Sequence, residues 1–179
     1  PYGLMFEEIT ASSLVKLDTD GDVVMDTNYL VNAAGFTIHS AIHQSRHDVD
    51  CVMHTHTIAG MAVSAQKSGL LPLAQTSLQF YDNLAYHDYE GIAFDLGERD
   101  RLVGDLGDKM AMILHNHGLL TCGKSVAQAF TTMHSLEKSC QLQVAAQAGG
   151  DLILPTEDVC RHTAKQFTRS VDTESEGEL

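Results

Sequence analysis

The sequence feature that most constrains this chain is a histidine pair at the end of an apolar segment, His54-Thr55-His56. The residues before it, 49–53, alternate apolar side chains with others and include β-branched residues, which predicts a buried strand. Side chains two apart on a strand share a face, so a strand that continues through the motif places both imidazoles on one face. Zinc usually takes three or four such ligands. The motif therefore predicts part of a metal site and requires a further donor.

A second motif of the same spacing, His115-Asn116-His117, also follows an apolar run, residues 110–114. Two predicted strand ends that carry histidines indicate one site assembled across a sheet. The spacing alone does not choose between His115 and His117 as the third ligand.

Composition limits the class of protein. The chain has 179 residues, of which 44% are hydrophobic, a length that suits one soluble domain with a sizeable core. The formal net charge of −13 argues against nucleic acid as a partner. No apolar run approaches the roughly 20 residues of a membrane helix, so no membrane partner is expected. The four cysteines lack CxxC spacing and are expected to be reduced thiols in a cytoplasmic protein.

The predicted elements alternate between strands and helices, which favours an α/β fold with helices around a mixed sheet. We expect one domain over residues 1–171 and a disordered acidic tail over 172–179. Because the chain starts at Pro1, we expect the natural polypeptide to begin earlier. The predicted elements are a hairpin of 12–17 and 23–25, helices 32–47, 57–69, 97–108, 125–148 and from 155, strands 49–56 and 110–115, a strand-like 118–123, and two short strands within 70–89.

Three further patterns have alternative interpretations. Asp18-Thr19-Asp20-Gly21 resembles the start of a calcium loop, but its pattern fails and a plain turn is favoured. Residues 118–125 satisfy the phosphate-loop pattern GxxxxGK[ST], yet their apolar interior is more typical of a strand. The helical stripe His39, His43 and His47 is most often a solvated face, although His39 is a candidate to point toward the site.

The chain resembles the class II aldolase/adducin family. The resemblance rests on Pro1-Tyr2-Gly3, the stretch 9–16, Gln44-Ser45-Arg46, His54-Thr55-His56 and Asn116-His117-Gly118-Leu119. It implies a three-layer α/β/α fold with a mixed, largely antiparallel central sheet. It also implies a homotetramer with sites between subunits, and a metal held by His54, His56 and His117. By this analogy His115 has no such role.

The chain departs from the family's sugar-phosphate aldolases at three positions. Where those enzymes carry two serines and a glutamate, this chain has Ala33, Ala34 and Gly35. Loss of the hydroxyls predicts a non-phosphorylated substrate bound near these positions and Gly3. Loss of the carboxylate leaves a lyase without its usual proton-transfer group. The candidate replacements are His39, Tyr81 and Asp82.

Three functions follow as hypotheses. The favoured one is a divalent-metal-dependent lyase that cleaves a carbon–carbon bond through a metal-stabilised enolate, with one metal per subunit, zinc before iron or manganese. The second is a mononuclear non-haem iron oxygenase of aryl-keto acids, which the stretch 32–73 resembles. The third is a non-catalytic adducin-like assembly module with actin or the cytoskeleton as partner, which the stretch 9–16 resembles.

Overall fold

The computed structural model describes residues 1–92 and 97–175, with side chains described as far as residue 168. The strands are β1 (Cys51–Thr55), β2 (Ala85–His87), β3 (Ala111–Leu114) and β4 (Gly118–Gly123). The helices are α1 (Ala33–Ser45), α2 (Ile58–Ser64), α3 (Gln75–Leu78), α4 (Glu98–Leu106), α5 (Val126–Gln147) and α6 (Glu157–Ser175). Two 3-10 helices, Phe6–Glu8 and Ala11–Ser13, precede them.

The contacts divide the chain into two compact units. One comprises Pro1–Val49 and Glu90–Gly104, and the other comprises Asp50–Tyr89 and Asp105–Leu179. The expected single domain over residues 1–171 remains a prediction. Helix α6 crosses the expected boundary at residue 171 and continues to Ser175, and the acidic tail expected over 172–179 also remains a prediction. The rest of the expected tail, 176–179, lies outside the described residues.

The sheet of the second unit has the strand order β1-β4-β3-β2. The β1–β4 and β3–β4 pairs are antiparallel, whereas β2 and β3 are parallel. Every residue of β3 and β4 is buried, so both faces of the central strands are covered. This arrangement confirms the α/β class with a mixed, largely antiparallel sheet.

One face of this sheet packs against α2 and α5. Leu119 of β4, Val63 of α2 and Leu136 of α5 are fully buried in one core cluster. The hydroxyl of Thr121, also on β4, donates to the Ala129 carbonyl at 3.0 Å, which ties α5 to the same face. Because paired residues of antiparallel strands share a face, Thr55, opposite Leu119, faces α5, whereas His54 faces away from it.

The segment 118–125 is not a phosphate loop. Residues 118–123 form the buried strand β4, and Ser125 caps α5 by accepting from the Gln128 amide. A buried strand already uses its amides in the sheet, so it offers no cradle for phosphate. The preference for a strand at this position is confirmed.

Two elements near the N-terminus differ from the predicted strand and hairpin. Ser12 and Ser13 lie in a 3-10 helix because the Ser13 hydroxyl and the Thr10 backbone satisfy each other locally. The predicted hairpin is reduced to one bridge between Leu17 and Val23, around a turn in which the Asp18 carboxylate accepts two amides.

The other differences lie between β1 and β2. Helix α2 ends at Ser64 and not at residue 69, and its last carbonyl accepts from the Asn116 amide at 3.1 Å. Within 70–89 only one of the two predicted strands forms. The Leu71 amide donates to the Gln143 side chain of α5 at 2.6 Å, so this segment bonds to a helix and not to the sheet.

The remaining helices follow the predicted pattern with small shifts at their ends. Asn32 caps α1, whose last residue is Ser45, so His47 lies beyond the helix. None of the described helices is both long enough and apolar enough to cross a membrane. All four cysteines are free thiols, and three of them are buried.

Candidate metal centre

The first two histidines of the centre are placed by the junction between β1 and α2. His54 lies in β1, and His56 follows the last residue of that strand. Thr57 then caps α2 through its hydroxyl, which accepts from the Gly60 amide at 3.3 Å. The strand thus ends between the two histidines, yet their Nε2 atoms lie 2.7 Å apart.

The third histidine comes from the tight turn that joins β3 to β4. Asn116 adopts a left-handed conformation with φ of 55°, and the His117 amide donates to the Leu114 carbonyl at 3.1 Å. Asparagine tolerates this conformation better than most residues. Because of this turn, the rings of His115 and His117 contact different residues.

The rings of His54, His56 and His117 form a compact cluster. Their centroids are separated by 4.5, 4.7 and 4.8 Å. One nitrogen from each ring lies within 4.8 Å of the others, and no other such group of potential ligands occurs among the described side chains of residues 1–92 and 97–168. His54 and His117 are half-buried and His56 is exposed, so the cluster opens to solvent on one side.

Two features of this cluster favour binding of a metal cation. His54 Nδ1 lies 2.8 Å from the Leu119 carbonyl, so it carries the proton and leaves Nε2 as an acceptor. Burial, followed by the nearby His56, lowers the pKa of His117. The first fixes the tautomer of His54 that presents Nε2, and the second favours neutral imidazole at His117, the form that binds transition metals. Three neutral nitrogens within reach of one point fit a zinc-type ion and leave room for further ligands.

Gly118 permits the two strands that carry the histidines to approach. A Cβ atom at this glycine would lie 2.3 Å from the Thr55 carbonyl oxygen and 3.2 Å from His56 Cδ2. Any larger residue would push the end of β1 away from the start of β4. This close approach explains why the residue after His117 is a glycine.

His115 is directed elsewhere. Its Nδ1 lies 2.9 Å from the Asp88 carboxylate, and its ring lies against Tyr86 with centroids 5.4 Å apart. The structure therefore places His117, and not His115, in the cluster.

Two of the candidate proton-transfer residues, Tyr81 and Asp82, follow α3 in the second unit. Asp82 adopts a φ of 58° and pairs with Arg161 of α6 at 3.6 Å. Desolvation and then the Glu157 carboxylate raise the pKa of Tyr81, with smaller effects from Arg161, Asp82 and Cys160. The structure thus shows these two residues in an ionic cluster with α6, and their catalytic role remains a prediction.

The other candidates lie in the first unit. Gly35, His39 and His43 line a cavity of about 440 Å³ together with Asp18. An added Cβ at Gly35 would contact nothing within 4 Å. Burial, followed by His43, lowers the pKa of His39. The substrate-binding roles expected of Gly3, Ala33, Ala34 and Gly35, and the catalytic role expected of His39, remain predictions.

Sequence reasoning missed the residues that hold the histidines. The Leu119 carbonyl is a backbone group and has no signature in the sequence. Glu137 lies 80 residues from Thr57, yet its carboxylate accepts a short hydrogen bond from the Thr57 hydroxyl. Thr57 follows the His-x-His motif at the start of a helical pattern, and this position predicted a helix cap. The pattern gave no indication that Thr57 also bonds to Glu137 of α5.

The sequence matches the family model of the Class II Aldolase and Adducin N-terminal domain over residues 1–144. It is 47% identical over 170 residues to alpha-adducin of Mus musculus, which covers 92% of this chain and 23% of that protein. The chain spans 58% of the length of bacterial relatives from Pseudomonas aeruginosa and Caulobacter vibrioides.

Solved structures share this fold. An aldolase II superfamily protein from Pseudomonas syringae is 56% identical with a TM-score of 0.88, covering 92% of this chain and 67% of that one. An L-fuculose 1-phosphate aldolase from Glaciozyma antarctica PI12 is 35% identical with a TM-score of 0.81, covering 93% of this chain and 65% of that one.

Proposed function

The chain belongs to the class II aldolase and adducin family, and we propose that it forms the metal-binding domain of a divalent-metal-dependent lyase. The reaction is cleavage of a carbon–carbon bond in a small carbonyl substrate. The observation that supports it is the convergence of His54, His56 and His117, with one nitrogen of each within 4.8 Å of the others. The similarity to an L-fuculose 1-phosphate aldolase supports the reaction class.

The three histidines have separate tasks in this proposal. His54 presents Nε2 because its Nδ1 is occupied by the Leu119 carbonyl. His117 stays neutral because burial and His56 lower its pKa. His56, the exposed member, lies on the open side of the cluster, where a substrate can approach. A divalent ion held by these nitrogens supplies Lewis acidity toward a carbonyl group.

Proton transfer requires a residue other than the family glutamate, since Gly35 occupies its position in the sequence. We assign the proton-accepting role to His39, because a lowered pKa favours its neutral imidazole, the form that can accept a proton. Tyr81 is the candidate proton donor, since its phenol carries a proton at neutral pH. Asp82 is the third candidate.

We further propose a non-phosphorylated substrate, because alanines replace the serines at positions 33 and 34. The proposed assembly is a homotetramer in the cytoplasm, where free thiols such as those of this chain persist. Sedimentation at micromolar concentration tests the assembly, and a monomer at every concentration contradicts it.

The test of the metal site is elemental analysis of protein purified without added metal. We expect about one divalent ion per chain, zinc before iron or manganese, and loss of that ion in His56→Ala and His117→Ala. Zinc together with aldol cleavage of an unphosphorylated hydroxy-carbonyl compound supports the lyase. Iron together with dioxygen uptake on an aryl-keto acid supports the oxygenase instead.

A second candidate function is an adducin-like assembly module. The similarity to alpha-adducin over 92% of this chain favours it. In that case the wild-type protein binds no divalent ion tightly and cleaves no carbonyl substrate. Cosedimentation with actin filaments is then the positive measurement.

A further inference from the structure

His54 and His56 are held in different ways. The His54 ring has its own anchor, since Nδ1 bonds to the Leu119 carbonyl at 2.8 Å. Among the described side chains of residues 1–92 and 97–168, the hydrogen bond of the His56 ring is the one to His54 Nε2. His56 is also the exposed member of the cluster. Apart from its contacts with the neighbouring histidine rings, its orientation depends on the backbone on either side of it.

Both neighbours of His56 are bound to one face of α5. The Thr55 hydroxyl donates to Met133 Sδ at 3.4 Å, and the Thr57 hydroxyl donates to Glu137 Oε2. Met133 and Glu137 lie four residues apart, so they occupy one side of the helix. The three-residue segment that carries His56 is thus held at both ends by a single helix.

The Glu137 contact reaches the rest of the cluster through α2. The Thr57 hydroxyl that donates to Glu137 also accepts from the Gly60 amide, which starts α2. Gly60 packs so closely on the Leu119 side chain that an added Cβ would lie 2.7 Å from its Cγ. Leu119 in turn anchors His54 through its carbonyl. The carboxylate of Glu137 is itself oriented, because Gln141 Nε2 donates to Oε1 at 2.8 Å.

We propose that Glu137 is a positioning residue of the metal centre, acting through Thr57 to orient His56. The inference rests on the proposed metal-binding function and deepens it. Hydrogen bonds to a carboxylate are stronger than neutral ones, so the charged acceptor suits a contact that must hold an exposed segment in place. Substitution of a residue that orients a metal ligand typically weakens metal binding by about 10–100-fold.

The test measures Zn²⁺ affinity of the full chain by competition with a chelator. We expect Glu137→Ala and Thr57→Val to weaken binding about tenfold and to alter the absorption spectrum of the Co²⁺-substituted protein. Glu137→Gln keeps an acceptor and Thr57→Ser keeps the hydroxyl, so both should stay within about threefold of the wild type. The double variant of Glu137→Ala and Thr57→Val should bind Zn²⁺ no more weakly than Thr57→Val alone, because Thr57→Val already removes the contact with Glu137 as well as the cap on the Gly60 amide.

Asp151→Asn is the matched control, since it removes one negative charge from an exposed position. Thermal unfolding in EDTA separates a structural role from a positioning role. A lower melting temperature in EDTA with unchanged Zn²⁺ affinity and Co²⁺ spectrum overturns the inference alone. A wild-type protein that binds neither Zn²⁺ nor Co²⁺ overturns the proposed function and this inference together.

Discussion

The two His-x-His motifs have the same spacing and each follows an apolar strand, but only one places both rings in the histidine cluster. In 54–56, Nε2 of one ring lies 2.7 Å from Nε2 of the other. In 115–117, the rings diverge: His117 joins the cluster, whereas His115 pairs with Asp88 at 2.9 Å.

The backbone between the histidines accounts for this difference. Thr55 continues the strand, and alternation along a strand brings residues two apart to the same face. Asn116 instead has φ of 55° and reverses the chain between two antiparallel strands. Spacing therefore predicts a shared face only where the backbone stays extended.

The largest expected effect comes from removing one ring of each motif. We expect His56→Ala and His117→Ala to weaken Zn²⁺ binding by at least about 100-fold, more than changes outside the ligand set cost. His115→Ala should stay within about threefold, because it loses only an ion pair with an exposed partner and a ring contact. Chelator competition measures all three. Equal losses of Zn²⁺ affinity in His115→Ala and His117→Ala would contradict the separate roles of these two histidines.

The next effect concerns the point where the two motifs meet, at Gly118. We expect Gly118→Ala to destabilise the protein by about 3 kcal/mol, because its Cβ would lie 2.3 Å from the Thr55 carbonyl oxygen. For a chain of this size that lowers the melting temperature by roughly 6–12 °C. Thermal unfolding in EDTA measures the change without a metal.

Gly104→Ala is the control for that experiment. Gly104 lies in α4, where an added Cβ contacts nothing within 4 Å. The substitution should stabilise the helix by about 0.5 kcal/mol. If both alanine variants unfold at the wild-type temperature, the strands do not approach as closely as described.

A smaller effect is expected from the turn itself. Asn116→Ala should cost about 1 kcal/mol, because a left-handed conformation is unfavourable for a residue with Cβ and no stabilising side chain. Asn116→Gly should be tolerated within about 0.5 kcal/mol. Urea unfolding of the metal-free protein measures both. A glycine variant less stable than the alanine variant would show that the Asn116 side chain matters for another reason.

The smallest expected effect is on the pH dependence of stability and concerns His39 and His43 of α1, which are four residues apart. Burial and His43 lower the pKa of His39 below its ordinary value of about 6.5. As pH falls below that value, the unfolded chain takes up a proton that the folded chain does not, so stability decreases. His39→Gln should reduce the loss of stability between pH 7 and pH 5. An unchanged pH dependence in this variant would contradict the burial of His39.

The main elements could be predicted from periodicity and capping residues. Long or strongly patterned segments such as α5, with Ser125 at its cap, formed close to their expected ends. The predictions failed where a side-chain hydrogen bond, either local or from a distant helix, took the place of sheet pairing. Ser13 closed a 3-10 turn, and Leu71 bonded to Gln143 of α5. Such partners compete with the sheet and leave no periodic signal.

The sequence by itself indicated which residue type forms the site, because two His-x-His motifs after apolar segments predicted that histidines converge at two strand ends. Only the tertiary structure decided which rings meet and what holds them. His117 was separated from His115 by the conformation of one turn residue, and Thr57, the neighbour of His56, was bound to Glu137, 80 positions away along the chain. Side-chain direction depends on backbone dihedrals and on contacts between distant segments, and neither is encoded in spacing along the chain.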